Sequence, residues 1–91
     1  MAYMLMNFEV DDYEEWKGLF DSDPIDRTQV AKGHMIFRAV DNPKEVFLGV
    51  EYPSVEDAQK FRERLMESGV LDRFKPKNGP TVVEVADQST Y

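Results

Sequence analysis

The stretch GHMIFRAVDNPKEVFLGVEY, residues 33–52, decides the fold. Two runs rich in branched and aromatic residues flank DNPK, and Asn-Pro is a strong turn signal, so a β-hairpin is expected. With Asp41 to Lys44 as its loop, Val40 stands opposite Glu45, Arg38 opposite Phe47 and His34 opposite Glu51. One face of the hairpin then carries Met35, Phe37, Ala39, Val46, Leu48, Val50 and Tyr52, all apolar. The other carries His34, Ile36, Arg38, Val40, Glu45, Phe47, Gly49 and Glu51, a mixed set. Side chains alternate with period two, so a loop of odd length exchanges the faces on one strand.

Outward from the hairpin, the pattern alternates between strand and helix. Residues 3–10, YMLMNFEV, alternate Met4, Met6, Phe8 and Val10 against Tyr3, Leu5, Asn7 and Glu9, which predicts a first strand. Asp11 or Asp12 then supplies an N-cap, Glu14 and Glu15 suit the positive end of a helix, and Tyr13, Trp16, Leu19 and Phe20 recur at helical spacing. Helix one is expected to end near Phe20, because DSDPID is turn chemistry and Pro24 cannot continue a helix.

After the hairpin, Pro53 closes the strand and Ser54 caps a second helix, with Val55, Ala58, Phe61 and Leu65 inward and Gly69 as its C-terminal stop. VLDRFKPKNGP predicts a connector containing one helical turn, TVVEVA a last strand, and residues 87–91 a polar tail. The order strand, helix, strand, strand, helix, strand is that of a ferredoxin-like α+β domain with an antiparallel four-stranded sheet and both helices on one face. Right-handed crossovers put the first and third strands at the centre.

The apolar face of this sheet is expected under the helices. The opposite face keeps Tyr3, Leu5, Ile36, Val40, Phe47 and Val82, more apolar area than a monomer leaves in water. Packing two sheets back to back into a dimeric α+β barrel covers it. A chain of 91 residues with 42% hydrophobic content makes one domain, residues 1–91 with its core over about 3–86. A domain this small buries only about 60% of its unfolded surface, so a partner adds useful burial.

Eighteen acidic against eleven basic residues give a net charge of -7, which repels phosphate backbones and anionic membranes. No nucleic-acid or membrane partner is expected. The absence of cysteine excludes disulfides, thiolate metal sites and Cys nucleophiles, and suits a cytoplasmic location. The apolar run at the N-terminus is too short for a signal sequence, and no segment reaches membrane-span length. Asp11, Asp12, Asp21, Asp23 and Asp26 lack the alternate spacing and closing glutamate of a calcium loop, so no metal is expected. No phosphate loop, Ser elbow or HExxH helix occurs.

The mixed face gathers the candidate chemistry. His34 with Glu51 across the strand pair suits a general base, since a carboxylate orients the ring and raises its proton affinity. Arg38 suits a phenolate, a carboxylate or the anion formed as a proton leaves. Asn7 and Phe47 share that face as substrate contacts, while Tyr13, Trp16 and Phe20 line a helix-to-sheet pocket for an aromatic ligand or simply fill the core. Arg27 contacts an anion or pairs with one of the aspartates around it. Ion pairs at the interface or rim of a dimer, formed by His34, Arg38, Glu51 and Glu84, are favoured over catalysis.

VDDYEEWKGLFD, Arg27, GHMIFRAVDNPKEVFLGVEY, SVEDAQKF and MESGVL together resemble small stand-alone members of the dimeric α+β barrel superfamily of antibiotic biosynthesis monooxygenase-like domains. The resemblance runs from about Tyr3 to Val85. Close relatives tend to carry a histidine after helix one, where this chain has Asp23. The superfamily includes cofactor-independent oxygenases, polyketide cyclases, haem-degrading enzymes, isomerases and proteins without catalysis, so fold alone selects no activity. Asn7 matches the haem-degrading enzymes, but AQKFRERLMESG offers neither their histidine ligand nor their tryptophan. The resemblance implies a homodimer that binds a small aromatic or polyketide-like molecule and needs no cofactor. If catalytic, it abstracts a proton in a monooxygenase- or cyclase-like reaction; the alternative is a non-catalytic binding or assembly module.

Overall fold

A computed structural model describes residues 1–91. The chain is α+β, in the order β1 (Ala2–Glu9), α1 (Tyr13–Asp21), a 3-10 turn (Arg27–Gln29), β2 (Gly33–Ala39), β3 (Asn42–Tyr52), α2 (Val55–Ser68), α3 (Val70–Arg73) and β4 (Asn78–Glu84). The four strands form one antiparallel sheet in the order β2-β3-β1-β4. This arrangement is compatible with the ferredoxin-like pattern, with β1 and β3 central as right-handed crossovers require. No helix is long and apolar enough to cross a membrane.

Local chemistry places the helices where the sequence marks them. The Asp12 carboxylate accepts from the Glu15 amide at 3.2 Å and starts α1. The Ser54 hydroxyl accepts from the Asp57 amide at 3.1 Å and starts α2. Gly69, at φ +80°, ends α2 in the left-handed region, where a side chain is disfavoured. Strand β4 begins three residues before the expected TVVEVA run. Gly79 explains why the strand tolerates that start: at φ +85°, a Cβ there would lie 2.3 Å from the Leu5 carbonyl oxygen.

The core lies between the sheet and the helices. Met4, Met6 and Phe8 from β1 and Val46, Leu48, Val50 and Tyr52 from β3 are buried beneath Trp16 of α1 and Ala58, Phe61 and Leu65 of α2. Each of the larger aliphatic and phenylalanine side chains among them contributes about 1.5–3 kcal/mol by leaving water. Phe8 meets Trp16 at 5.1 Å and Tyr52 meets Phe61 at 5.6 Å between ring centroids, so both helices cover the same face.

The hairpin corrects one expectation. Ala39 pairs with Asn42, leaving only Val40 and Asp41 in the turn, and Pro43, Lys44 and Glu45 of β3 bulge out before Arg38 pairs with Val46. His34 therefore stands opposite Val50, and Glu51 opposite Gly33. The faces of β2 are exchanged relative to the four-residue loop: His34, Ile36 and Arg38 face the helices, and Met35 and Phe37 face away. The physical cause is β1, which holds the bulged segment as strand. Glu9 pairs with Glu45, and the Val10 amide donates to the Lys44 carbonyl at 2.9 Å.

The open face consists of cross-strand rows. Asn7, Phe47 and Phe37 form one; Thr81, Leu5, Gly49 and Met35 the next; Val83, Tyr3, Glu51 and Gly33 the third. Val83 belongs here, whereas Val82 and Ile36 pack partly buried against the core on the other side. Leu5, Met35, Phe37 and Phe47 are 41–57% exposed, an apolar patch at the centre of the sheet.

Candidate functional site

A cavity of about 180 Å³ lies between the sheet and the helices. Its floor is Met4, Met6, Phe8, Leu48, Val50 and Tyr52, the inward positions of the two central strands. One wall is Trp16, Leu19 and Phe20 of α1. The opposite wall is Phe61 and Leu65 of α2 with Val70 and Leu71 of α3, and the connector Ser22–Arg27 closes one side. A cavity of about 150 Å³ lined by aliphatic and aromatic groups is known to take benzene, so this space suits a molecule built on a single substituted ring.

The connector is tied down at both ends. Arg27 donates to the Phe20 carbonyl at 3.1 Å, with its guanidinium 3.7 Å from the Phe20 ring centroid. Arg64 of α2 donates to the Ile25 carbonyl and pins the connector across the helices. Asp23, in the left-handed region at φ 56°, accepts from the Thr28 hydroxyl at 2.6 Å and the Thr28 amide at 3.2 Å through Oδ2. These contacts set the path of a segment that has no helical or strand periodicity.

Two residues that line this apolar space each carry a polar atom buried without a hydrogen-bond partner: Tyr52 its hydroxyl and Asp23 its Oδ1. Burial pushes the Tyr52 phenol well above the ordinary tyrosine range, against the opposing charges of Arg27 and Arg64, so its proton stays in place. Burial also works to raise the Asp23 pKa, but the Thr28 hydrogen bonds, the Arg27 amide and the Arg27 charge outweigh it and hold the carboxyl below its usual value. The cavity therefore offers one fixed donor, one fixed anionic acceptor and a cation beside them.

The expected site residues divide between the two faces. Trp16 and Phe20 line the cavity, stacked at 5.2 Å, whereas Tyr13 lies 5.9 Å from Trp16, outside the lining. His34 and Arg38 come to the helix side but cap α1: the His34 ring meets Phe20 edge-on at 4.9 Å, and Arg38 lies 4.2 Å from the Tyr13 ring centroid. Glu51, Asn7 and Phe47 are on the open face. The Asn7 amide donates to the Val46 carbonyl at 3.1 Å and to Glu45 at 3.4 Å, beside Lys77, which reaches Glu9 at 3.6 Å and Glu45 at 3.8 Å.

The pairing of His34 with Glu51 is thereby corrected, because the register sends them to opposite faces. The charged groups that act on His34 are Arg27, Lys17 and Asp21. Partial burial and then the two cations lower its pKa, with Asp21 opposing. Arg27 makes no ion pair with its neighbouring aspartates and donates from Nη1 to a backbone carbonyl. Tyr52 and Asp23 gave no motif to the sequence; the available signal was a tyrosine on an otherwise apolar inward face, a position whose hydroxyl needs a partner.

No group of three or more His, Cys, Asp or Glu side chains converges closely enough to hold a metal ion. No family model, curated protein or solved structure matches the chain.

Proposed function

We propose that this protein is a homodimeric α+β barrel of the antibiotic biosynthesis monooxygenase-like type that binds a small, largely apolar or aromatic molecule between its sheet and helices. The observation that carries this proposal is the cavity itself. The space opens to solvent while its walls are nearly all apolar, and a ligand seated there would cover hydrophobic surface that water otherwise meets. Trp16 and Phe20 supply the flat walls that aromatic ligands favour.

Dimerisation through the open face rests on the rows centred on Leu5, Gly49, Phe47 and Phe37. A second copy is the occupant that fits, because the patch is apolar at its centre and its rim carries both signs of charge, Glu9 and Glu45 around Lys77. A net charge of -7 per chain opposes association in general, so burial at the centre has to supply the attraction.

Binding without chemistry at His34 is the function the geometry supports best. The ring lacks a carboxylate partner, sits among cations and does not line the cavity. Sedimentation equilibrium at micromolar concentration tests the assembly: a mass of twice 10.6 kDa is expected, and a stable monomer removes the barrel.

A further inference from the structure

The cavity is apolar on nearly every side, yet two of the residues lining it carry a buried polar atom with no partner. Tyr52 is fully buried, at 0% exposure, and its hydroxyl meets no acceptor. Asp23 uses Oδ2 on Thr28, and its other oxygen, Oδ1, is buried and unbonded. Leaving a buried donor or acceptor unsatisfied costs about 1–3 kcal/mol, so a bound molecule that satisfies either atom recovers part of that cost.

The two atoms ask for different things. Tyr52 presents a hydroxyl in an environment where it remains protonated, so it donates; Asp23, as a carboxylate, only accepts. A carboxylate ligand satisfies the first and is repelled by the second. Arg27 offsets this only in part, because its charge already acts on Asp23. The net charge of the chain further disfavours an incoming anion.

We infer that the cavity selects a neutral, hydroxyl-bearing apolar molecule, of the alkylphenol class, whose oxygen accepts from the Tyr52 hydroxyl or whose O–H is donated to Asp23 Oδ1. This rests on the cavity being a ligand site, as proposed above, and adds the polar group that the ligand carries. The apolar walls set size and shape, and the two buried atoms set chemical type. A ligand that lacks the hydroxyl forfeits either bond, and one that replaces it with a carboxylate meets Asp23.

The test uses the 91-residue protein in solution and three probes of one shape: 4-ethylphenol, ethylbenzene and 4-ethylbenzoate. Trp16 is the only tryptophan and lines the cavity, so its indole N–H resonance reports binding at this site. In the wild type, 4-ethylphenol is expected to bind most tightly and 4-ethylbenzoate most weakly. Tyr52→Phe should reduce the affinity ratio of 4-ethylphenol to ethylbenzene about fivefold, the scale of one neutral hydrogen bond. Asp23→Asn, tolerated at a left-handed position, should narrow the gap between 4-ethylphenol and 4-ethylbenzoate.

Ratios unchanged in both variants overturn the inference while leaving the cavity as a ligand site. Tighter binding of 4-ethylbenzoate than of 4-ethylphenol by the wild type also overturns it, in favour of an anion site at Arg27. If no probe moves the Trp16 resonance, the ligand site and the inference fall together.

Discussion

The His34 ring meets the Phe20 ring edge-on at 4.9 Å, on the helix side of the sheet, with Glu51 on the other face. The contact turns the only histidine from a candidate base into part of the edge that covers α1. Arg38 does the same for Tyr13 two turns earlier in the helix. Cation and ring contacts of this kind contribute about 0.5–1 kcal/mol each at exposed sites, enough to hold β2 against α1 without a catalytic role.

The environment of His34 fixes a pH dependence. Partial burial, Arg27 and Lys17 favour the neutral ring, so its folded pKa lies below the unfolded value of about 6.5. Above that pH the ring is neutral in both states and contributes no slope. As pH falls through about 6.5 the unfolded chain takes up the proton first, so stability declines until the folded ring is protonated too. Urea unfolding across pH should show this decline in the wild type and lack it in His34→Phe. An NMR titration midpoint above 6.5 would instead indicate a carboxylate partner and contradict the observed register.

Tyr52→Phe should stabilise the ligand-free protein. The substitution keeps the ring contact with Phe61 and removes a buried hydroxyl that has no partner. A gain of about 0.5–1.5 kcal/mol is expected in chemical denaturation, since the unsatisfied group no longer has to be desolvated. A loss of similar size would mean that the hydroxyl is bonded in solution.

Phe47→Asp separates assembly from folding. Phe47 is 41% exposed on the open face and contributes little to the monomer core. Under the proposed assembly a charge at the centre of this face should weaken association by about 2 kcal/mol or more, read by sedimentation, with the circular dichroism spectrum retained. Unchanged association would place the dimer contact elsewhere.

Gly79→Ala should cost several times the usual penalty for a surface Gly→Ala change. The new methyl would collide with the Leu5 backbone oxygen, which a flexible neighbour cannot relieve, and the residue sits at φ +85°. A fall of about 3 kcal/mol, or failure to fold, is expected in thermal unfolding. By contrast Gly18→Ala, where a Cβ meets nothing within 4 Å, should be neutral or stabilising.

Local signals carried most of the architecture. Asp12, Ser54 and Gly69 act within a few residues of their own positions, so the helix boundaries were legible. The alternation of Met4, Met6 and Phe8 showed which side of β1 turns inward. The hairpin register was not legible, because DNPK carries a turn signal that a distant strand overrides. Pairing of Glu45 with Glu9 keeps Pro43 and Lys44 extended, and no local pattern encodes that pairing. The same holds for the cavity. Trp16 and Phe20 pointed to it, while Asp23 and Arg27 lie in a connector whose path is set by Thr28, Arg64 and the end of α1.

The methionines provide the most direct measurement. Met4 and Met6 lie on the cavity floor, and Met35 is 57% exposed on the open face. In a spectrum of protein labelled with carbon-13 at the methionine methyls, adding 4-ethylphenol should shift Met4 and Met6 and leave Met35 unchanged. Diluting the protein should shift Met35 alone. Movement of Met35 with ligand while Met4 and Met6 stay fixed would contradict the account, because it would place the small molecule between subunits rather than between sheet and helices.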